Sequence, residues 1–202
     1  MPYSYFASLT EFYIFVLAFI AFIISEVVIK AYSETNRRRS NTKRKTSYVS
    51  SLYIVIAGLI VIGCIRLGFN TIFIGAISLR FPDFFYIIGI IFMLGGTALR
   101  GLAVLTLRQA FTIVVQTTDD QKLIRHGVYK LLRNPSYAGI LLFVTGVAFS
   151  LQSVAAAILS VIYFTVFFGI RIRVEEKALW ERFGQEFDEY CVNTWRLIPF
   201  IW

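Results

Sequence analysis

Histidine and cysteine are nearly missing from this sequence: 202 residues contain one histidine, His126, and two cysteines, Cys64 and Cys191. So few soft ligands, spread so far apart, point to neither a disulfide framework nor a metal cluster, and a metal-centred mechanism is not expected. There is no internal repeat and no Gly/Ser/Pro stretch long enough to separate domains. Residues 1–10 lack the basic run that precedes the apolar core of a cleavable signal, so the first apolar segment is expected to stay in the chain.

What is abundant is apolar surface. The chain is 57% hydrophobic and 17% aromatic, far from the soluble average, and reads as an integral membrane protein. A helix needs about 20 apolar residues to cross a bilayer. Residues 12–32, 48–69 and 84–107 meet that length, and the longer region 137–170 is interrupted only by Ser150-Leu151-Gln152-Ser153, which reads as a tight turn between two helices. The expected fold class is therefore all-α, a polytopic membrane protein with five transmembrane helices. Residues 1–202 form one domain, in which 1–105 hold three spans and 106–202 hold a polar loop, a helical hairpin and a C-terminal helix. In that last helix Trp180, Phe183, Phe187 and Cys191 recur at helical spacing, which suggests an amphipathic helix continuing from the fifth span along the membrane surface.

The +8 net charge is not a nucleic-acid signal once its positions are read. With the N-terminus outside, the cytoplasmic face receives seven basic residues in 30–45, five in 108–133 and five in 171–196, while the outer face keeps only Arg80. This asymmetry orients the chain N-out, C-in. The densest run, Asn36 to Lys45, reads first as a solvated loop, with a topology signal and contact to anionic membrane lipids as its functional reading. Arg66 and Arg100 fall inside spans near their ends, where a long side chain can snorkel to the interface; Glu26 poses a milder form of the same problem.

Most of the polar chemistry sits in two segments on one side of the membrane. The first carries G-x-Y-x-x-x-R-N-P-x-Y-x-G from Gly127 to Gly139. Its proline restricts Asn134, and its glycines allow close backbone approach. In the second, Arg171 and Glu175 are four apart and share a helix face. They read either as a surface ion pair or, with Glu176, as acceptors for ligand hydroxyls. His126 reads as an interfacial loop residue rather than a general base.

Three ordered blocks, "LRQAFT", "DDQKLIRHGVYKLLRNPSYAG" and "RVEEKALWERFGQEFDEYCVNTWRLIP", together resemble the isoprenylcysteine carboxyl methyltransferase family. That resemblance implies S-adenosylmethionine as methyl donor and a lipophilic or prenylated acceptor reached from the bilayer. Carried over position by position, cofactor contacts would come from Gln116, from Gln121, Lys122, Leu123 and Ile124, from Tyr129, from Asn134, Pro135, Ser136 and Tyr137, and from Glu175. Arg171 would face the substrate carboxylate. The family commonly has histidine where this chain has Asn134, a residue that keeps hydrogen bonding but takes up no proton near neutral pH.

The implied reaction is O-methylation of the C-terminal carboxylate of an isoprenylated cysteine or a similar acceptor. Three alternatives stand beside it. A lipid-amine methyltransferase would need a base to deprotonate its acceptor, and a membrane reductase related to the sterol reductases would use a nicotinamide cofactor. The third is a non-enzymatic membrane scaffold.

Overall fold

The computed structural model describes residues 6–39, 81–107 and 123–201. Among these residues regular structure is helical throughout, apart from a single-residue bridge between Leu132 and Trp195. Helix α1 runs Leu9–Arg39, α2 Phe85–Leu107, α3 Pro135–Ser150, α4 Val154–Phe183 and α5 Gln185–Val192, with a 3-10 turn at Gly127–Lys130 ahead of α3. Three of the helices are long and apolar enough to cross a membrane, and α3 is a shorter apolar helix. The expected span at 48–69, with Cys64 and Arg66, lies outside the described residues, as do Gln116, Gln121 and Lys122.

Local chemistry sets the helix ends. At the start of α1, Ser8 Oγ accepts the Glu11 backbone N–H at 3.2 Å while the Glu11 carboxylate reaches back to the Ala7 N–H at 2.9 Å, a variant of the capping box. The turn between α3 and α4 falls at the SLQS interruption. Gln152 adopts φ 53°, and the Gln152 and Ser153 amides bond back to the Phe149 and Ala148 carbonyls at 2.9 and 3.2 Å. These are the two bonds of a Schellman ending. Ser153 then caps α4 by accepting the Ala156 N–H at 3.2 Å.

Helices α2 and α3 run antiparallel in near backbone contact. Gly89 and Gly96 on α2 face Gly146 and Gly139 on α3. A Cβ on Gly96 would lie 2.5 Å from the Gly139 carbonyl oxygen, and one on Gly146 would lie 2.6 Å from that of Gly89. Glycines seven residues apart return to nearly the same helix face, and small residues there let two membrane helices approach closely. Phe22 of α1 stacks on Phe143 of α3 with ring centroids 3.7 Å apart. Met93, Val144, Phe164, Phe168 and Ile172 complete a buried apolar core.

The segment after the fifth expected span departs from one continuous amphipathic helix. α4 continues to Phe183, but Gly184 takes φ 49°, which breaks the helix, and α5 starts anew at Gln185. Phe187 and Tyr190 are buried, whereas Trp180 is exposed, so the apolar face predicted across the break is divided between two helices.

Candidate active site

The C-terminal part of α2, the first turn of α3, the C-terminal half of α4 and the chain after α5 converge at one end of the bundle. The α3 start is fixed by Pro135 at the first helical position, where its missing N–H costs no helical bond. Around it, Arg133, Asn134, Ser136 and Tyr137 point into three separate polar clusters.

The first cluster contains Tyr137, Arg171 and Glu175. The Tyr137 hydroxyl donates to Glu175 Oε1 at 2.7 Å and accepts a bond from Arg171 Nε, which also donates to Glu175 Oε1 at 3.0 Å. The Arg171 and Glu175 side chains are 11% and 25% exposed. The surface-pair reading is therefore replaced by a mostly buried triad in which both bonds to the carboxylate fall on one of its oxygens. The Arg171 guanidinium also lies 5.9 Å from the Tyr137 ring centroid, within cation–π range.

The second cluster centres on Glu176. Adjacent residues on a helix point about 100° apart, so Glu175 and Glu176 serve different neighbours. Glu176 Oε1 accepts from Arg133 Nε at 3.1 Å and from the Asn134 amide at 3.3 Å, while Oε2 pairs with Arg196 Nε at 2.9 Å. Arg133 also donates to the Cys191 carbonyl at 2.8 Å and to Thr194, and its backbone N–H meets the Trp195 carbonyl at 2.8 Å. The Asn134 amide donates to the Arg196 carbonyl at 2.9 Å. These bonds clamp the chain after α5 onto the start of α3. The Asn134 side-chain amide is thus spent on Glu176 and the C-terminal segment.

The third cluster links α1, α2 and α3. Arg100 donates through Nε and Nη2 to the two carboxylate oxygens of Glu26 and through Nη1 to Ser136 Oγ at 2.7 Å. Arg100 is buried at 7% exposure. The snorkelling expectation fails here because a partner for the charge stands on the neighbouring helix, which removes the need to reach water.

The 3-10 turn adds Tyr129, buried, whose backbone carbonyl accepts the Tyr190 hydroxyl at 2.7 Å. Burial first, then the nearby Tyr190 and Glu175, push the Tyr129 phenol far above its ordinary value, so it is a neutral hydroxyl at any physiological pH. Burial likewise raises the Cys191 thiol, which stays protonated at neutral pH. Leu123 and Ile124 are half-buried on the stretch of chain leading into the turn, and His126 is exposed. Of the expected site residues, Tyr129, Asn134, Pro135, Ser136, Tyr137, Arg171 and Glu175 are gathered at this end. Glu26, Arg133, Thr194 and Arg196 complete it without having been singled out for it, because the contacts that bring them there join distant segments: Glu26 to Arg100, 74 positions apart, Arg133 to Glu176 and Thr194, 43 and 61 apart, and Arg196 to Asn134, 62 apart.

Similarity to known proteins converges on one family. Residues 88–181 match the family model described as isoprenylcysteine carboxyl methyltransferase (ICMT) family. The chain is 34% identical over 131 residues to a probable protein-S-isoprenylcysteine O-methyltransferase of Oryza sativa subsp. indica, an alignment covering 61% of this chain and 69% of the rice protein. It is 33% identical over 117 residues to the protein-S-isoprenylcysteine O-methyltransferase of Saccharomyces cerevisiae, covering 57% of this chain and 49% of that one. Among solved structures, that of a eukaryotic intramembrane Ras methyltransferase ICMT matches with a TM-score of 0.63 at 22% identity, over 93% of this chain and 68% of the other, which shows a shared fold. Together with its membrane-crossing helices, this makes the protein an integral membrane protein. The family match spans the α2 to α4 region that carries Arg100, Asn134, Tyr137, Arg171 and Glu175, and the chain belongs to the isoprenylcysteine carboxyl methyltransferase family.

Proposed function

We propose that this protein is an S-adenosylmethionine-dependent methyltransferase that esterifies the C-terminal carboxylate of an isoprenylated cysteine or a closely similar lipophilic acceptor. The observation that carries this reading is the Tyr137–Arg171–Glu175 triad, buried where α3 and α4 meet beside the polar loop. In our reading the chain crosses the membrane five times, with the N-terminus outside and this site on the cytoplasmic side, as the basic residues favour. The prenyl chain then arrives from the bilayer and the methyl donor from water.

The residues present fit that cofactor. The Glu175 bonds described above all fall on Oε1, which leaves Oε2 to accept from a ligand hydroxyl or ammonium. Tyr129 and Tyr137 offer aromatic surface next to it, and Leu123 and Ile124 line the chain leading to Tyr129. The roles of Gln116, Gln121 and Lys122 rest on the family resemblance alone. Pro135 and the side chains of Asn134 and Ser136 act by shaping the α3 start. When bound, S-adenosylmethionine supplies an electrophilic methyl group.

The protein's own role is orientation and exclusion of water. A terminal carboxylate, with a pKa of about 3.3 to 3.7, is already ionised at pH 7, so no general base is needed. This agrees with an exposed His126 standing apart from the clusters. Arg171 is the residue we assign to the acceptor carboxylate, since a planar guanidinium can pair with both oxygens and leave a lone pair for attack. Its Nε bonds to Tyr137 and Glu175 set the plane of that guanidinium. An amine acceptor would need a base that these residues do not offer.

The test is calorimetry on detergent-purified protein with S-adenosylmethionine, S-adenosylhomocysteine and NADPH, followed by methyl incorporation into prenylcysteine and into a lipid amine. Binding of the first two and labelling of prenylcysteine are expected. Binding of NADPH alone would replace the proposal with a reductase, and binding of none would remove the cofactor reading.

A further inference from the structure

Glu26 lies on α1, far from the motif-bearing segments, yet its carboxylate is occupied by Arg100 of α2 through two guanidinium nitrogens. The third nitrogen of that guanidinium holds Ser136 Oγ at 2.7 Å. Ser136 is the second residue of α3, between Pro135 and the Tyr137 whose hydroxyl meets Glu175. The arrangement is demanding. Both side chains are withdrawn from solvent, 9% exposed for Arg100 and 17% for Glu26, and each charge would be costly in a span without the other. Packing does not require them, since the α2–α3 contact is already made by Gly96 against Gly139, one turn away.

We infer that Glu26 and Arg100 are positioning residues for the reaction: the pair ties the first turn of α3 to α1 and thereby sets Tyr137 and the cofactor side of the site. A planar fork is what this needs, because one head group must bridge a carboxylate on one helix and a hydroxyl on another. A lysine at position 100 could neutralise Glu26 but could not hold Ser136 in the same geometry. The inference rests on the methyltransferase reading of the site, and its test separates the two.

S-adenosylmethionine affinity, cofactor KM and kcat are measured for the unaltered protein and for Glu26→Gln, Ser136→Ala and the double variant, with thermal melting of each in detergent. Unaltered protein that binds no S-adenosylmethionine fails the methyltransferase reading itself. If it binds, Glu26→Gln is expected to raise cofactor KM about fivefold, the equivalent of one lost hydrogen bond of ordinary net strength, with kcat moved less than about twofold. Adding Ser136→Ala to Glu26→Gln should then change little, because both act through Arg100. Arg100→Lys should behave like Glu26→Gln despite keeping the charge. Unchanged cofactor KM in a Glu26→Gln variant, or effects of the two substitutions that multiply as independent ones would, overturns the inference. A variant that melts early is re-examined as Glu26→Asp, which keeps the charge. Restored melting with cofactor KM still raised supports positioning, and full restoration of both assigns the pair to stability alone.

Discussion

The two ends of the helical bundle are built by different means. At the end that holds the α3–α4 turn, the chain closes on backbone bonds and caps: the Schellman ending at Gln152, the Ser153 cap, the Gln152 amide on Asp83 at 3.0 Å, and the Phe81, Phe85 and Phe149 rings around them. At the opposite end three arginine–carboxylate clusters stand where α1 to α4 and the C-terminal segment meet. Caps and rings suffice to hold helices together. Withdrawn charges are a poor way to gain stability, since desolvation offsets much of their attraction. Their concentration at one end marks where the molecule must place specific atoms.

The contrast can be broken most severely at Arg133. Replacing it with alanine leaves the Cys191 and Thr194 carbonyls without this donor and Glu176 with only Asn134 and Arg196, and a loss of about 3–5 kcal/mol is expected, read as a fall in detergent melting temperature. Arg171→Ala should cost less stability and more chemistry: a turnover loss of about a hundredfold, near 2.7 kcal/mol, with S-adenosylmethionine affinity retained in calorimetry. Turnover equal to the unaltered protein would remove Arg171 from the mechanism. Gly146→Val forces a side chain into the Gly89 and Met93 backbone of α2, and overpacking of about 1–3 kcal/mol should lower melting without a selective effect on cofactor KM. Smallest is Gln152→Ala at the capped end, which removes the Asp83 bond for about 1 kcal/mol and leaves turnover as it was.

Hydropathy alone places α1, α2 and the α3–α4 hairpin, and even the SLQS turn, because a bilayer-length apolar run and a polar interruption are local features of the chain. The pairing of Arg171 with Glu175 is equally legible, being an i, i+4 relation on one helix. Contacts that join distant segments leave no such trace. Arg100 reads as a snorkelling residue because Glu26 is 74 positions away, and Glu176 reads as a twin of Glu175 until the C-terminal segment folds back onto it. The break at Gly184 escapes for a different reason: helical spacing of Trp180, Phe183, Phe187 and Cys191 continues across a glycine whose positive φ leaves no mark on periodicity.

The neighbouring glutamates give the most direct test, since one faces the reacting site and the other the clamp on the C-terminal segment. Glu175→Gln and Glu176→Gln are compared in parallel for S-adenosylmethionine affinity by calorimetry and for thermal melting in detergent. The expected result is a split: Glu175→Gln weakens cofactor binding about tenfold and melts close to the unaltered protein, while Glu176→Gln melts well below it and keeps its affinity at temperatures where it remains folded. Equal loss of affinity in both, or a melting loss confined to Glu175→Gln, would contradict the division of labour between the two clusters.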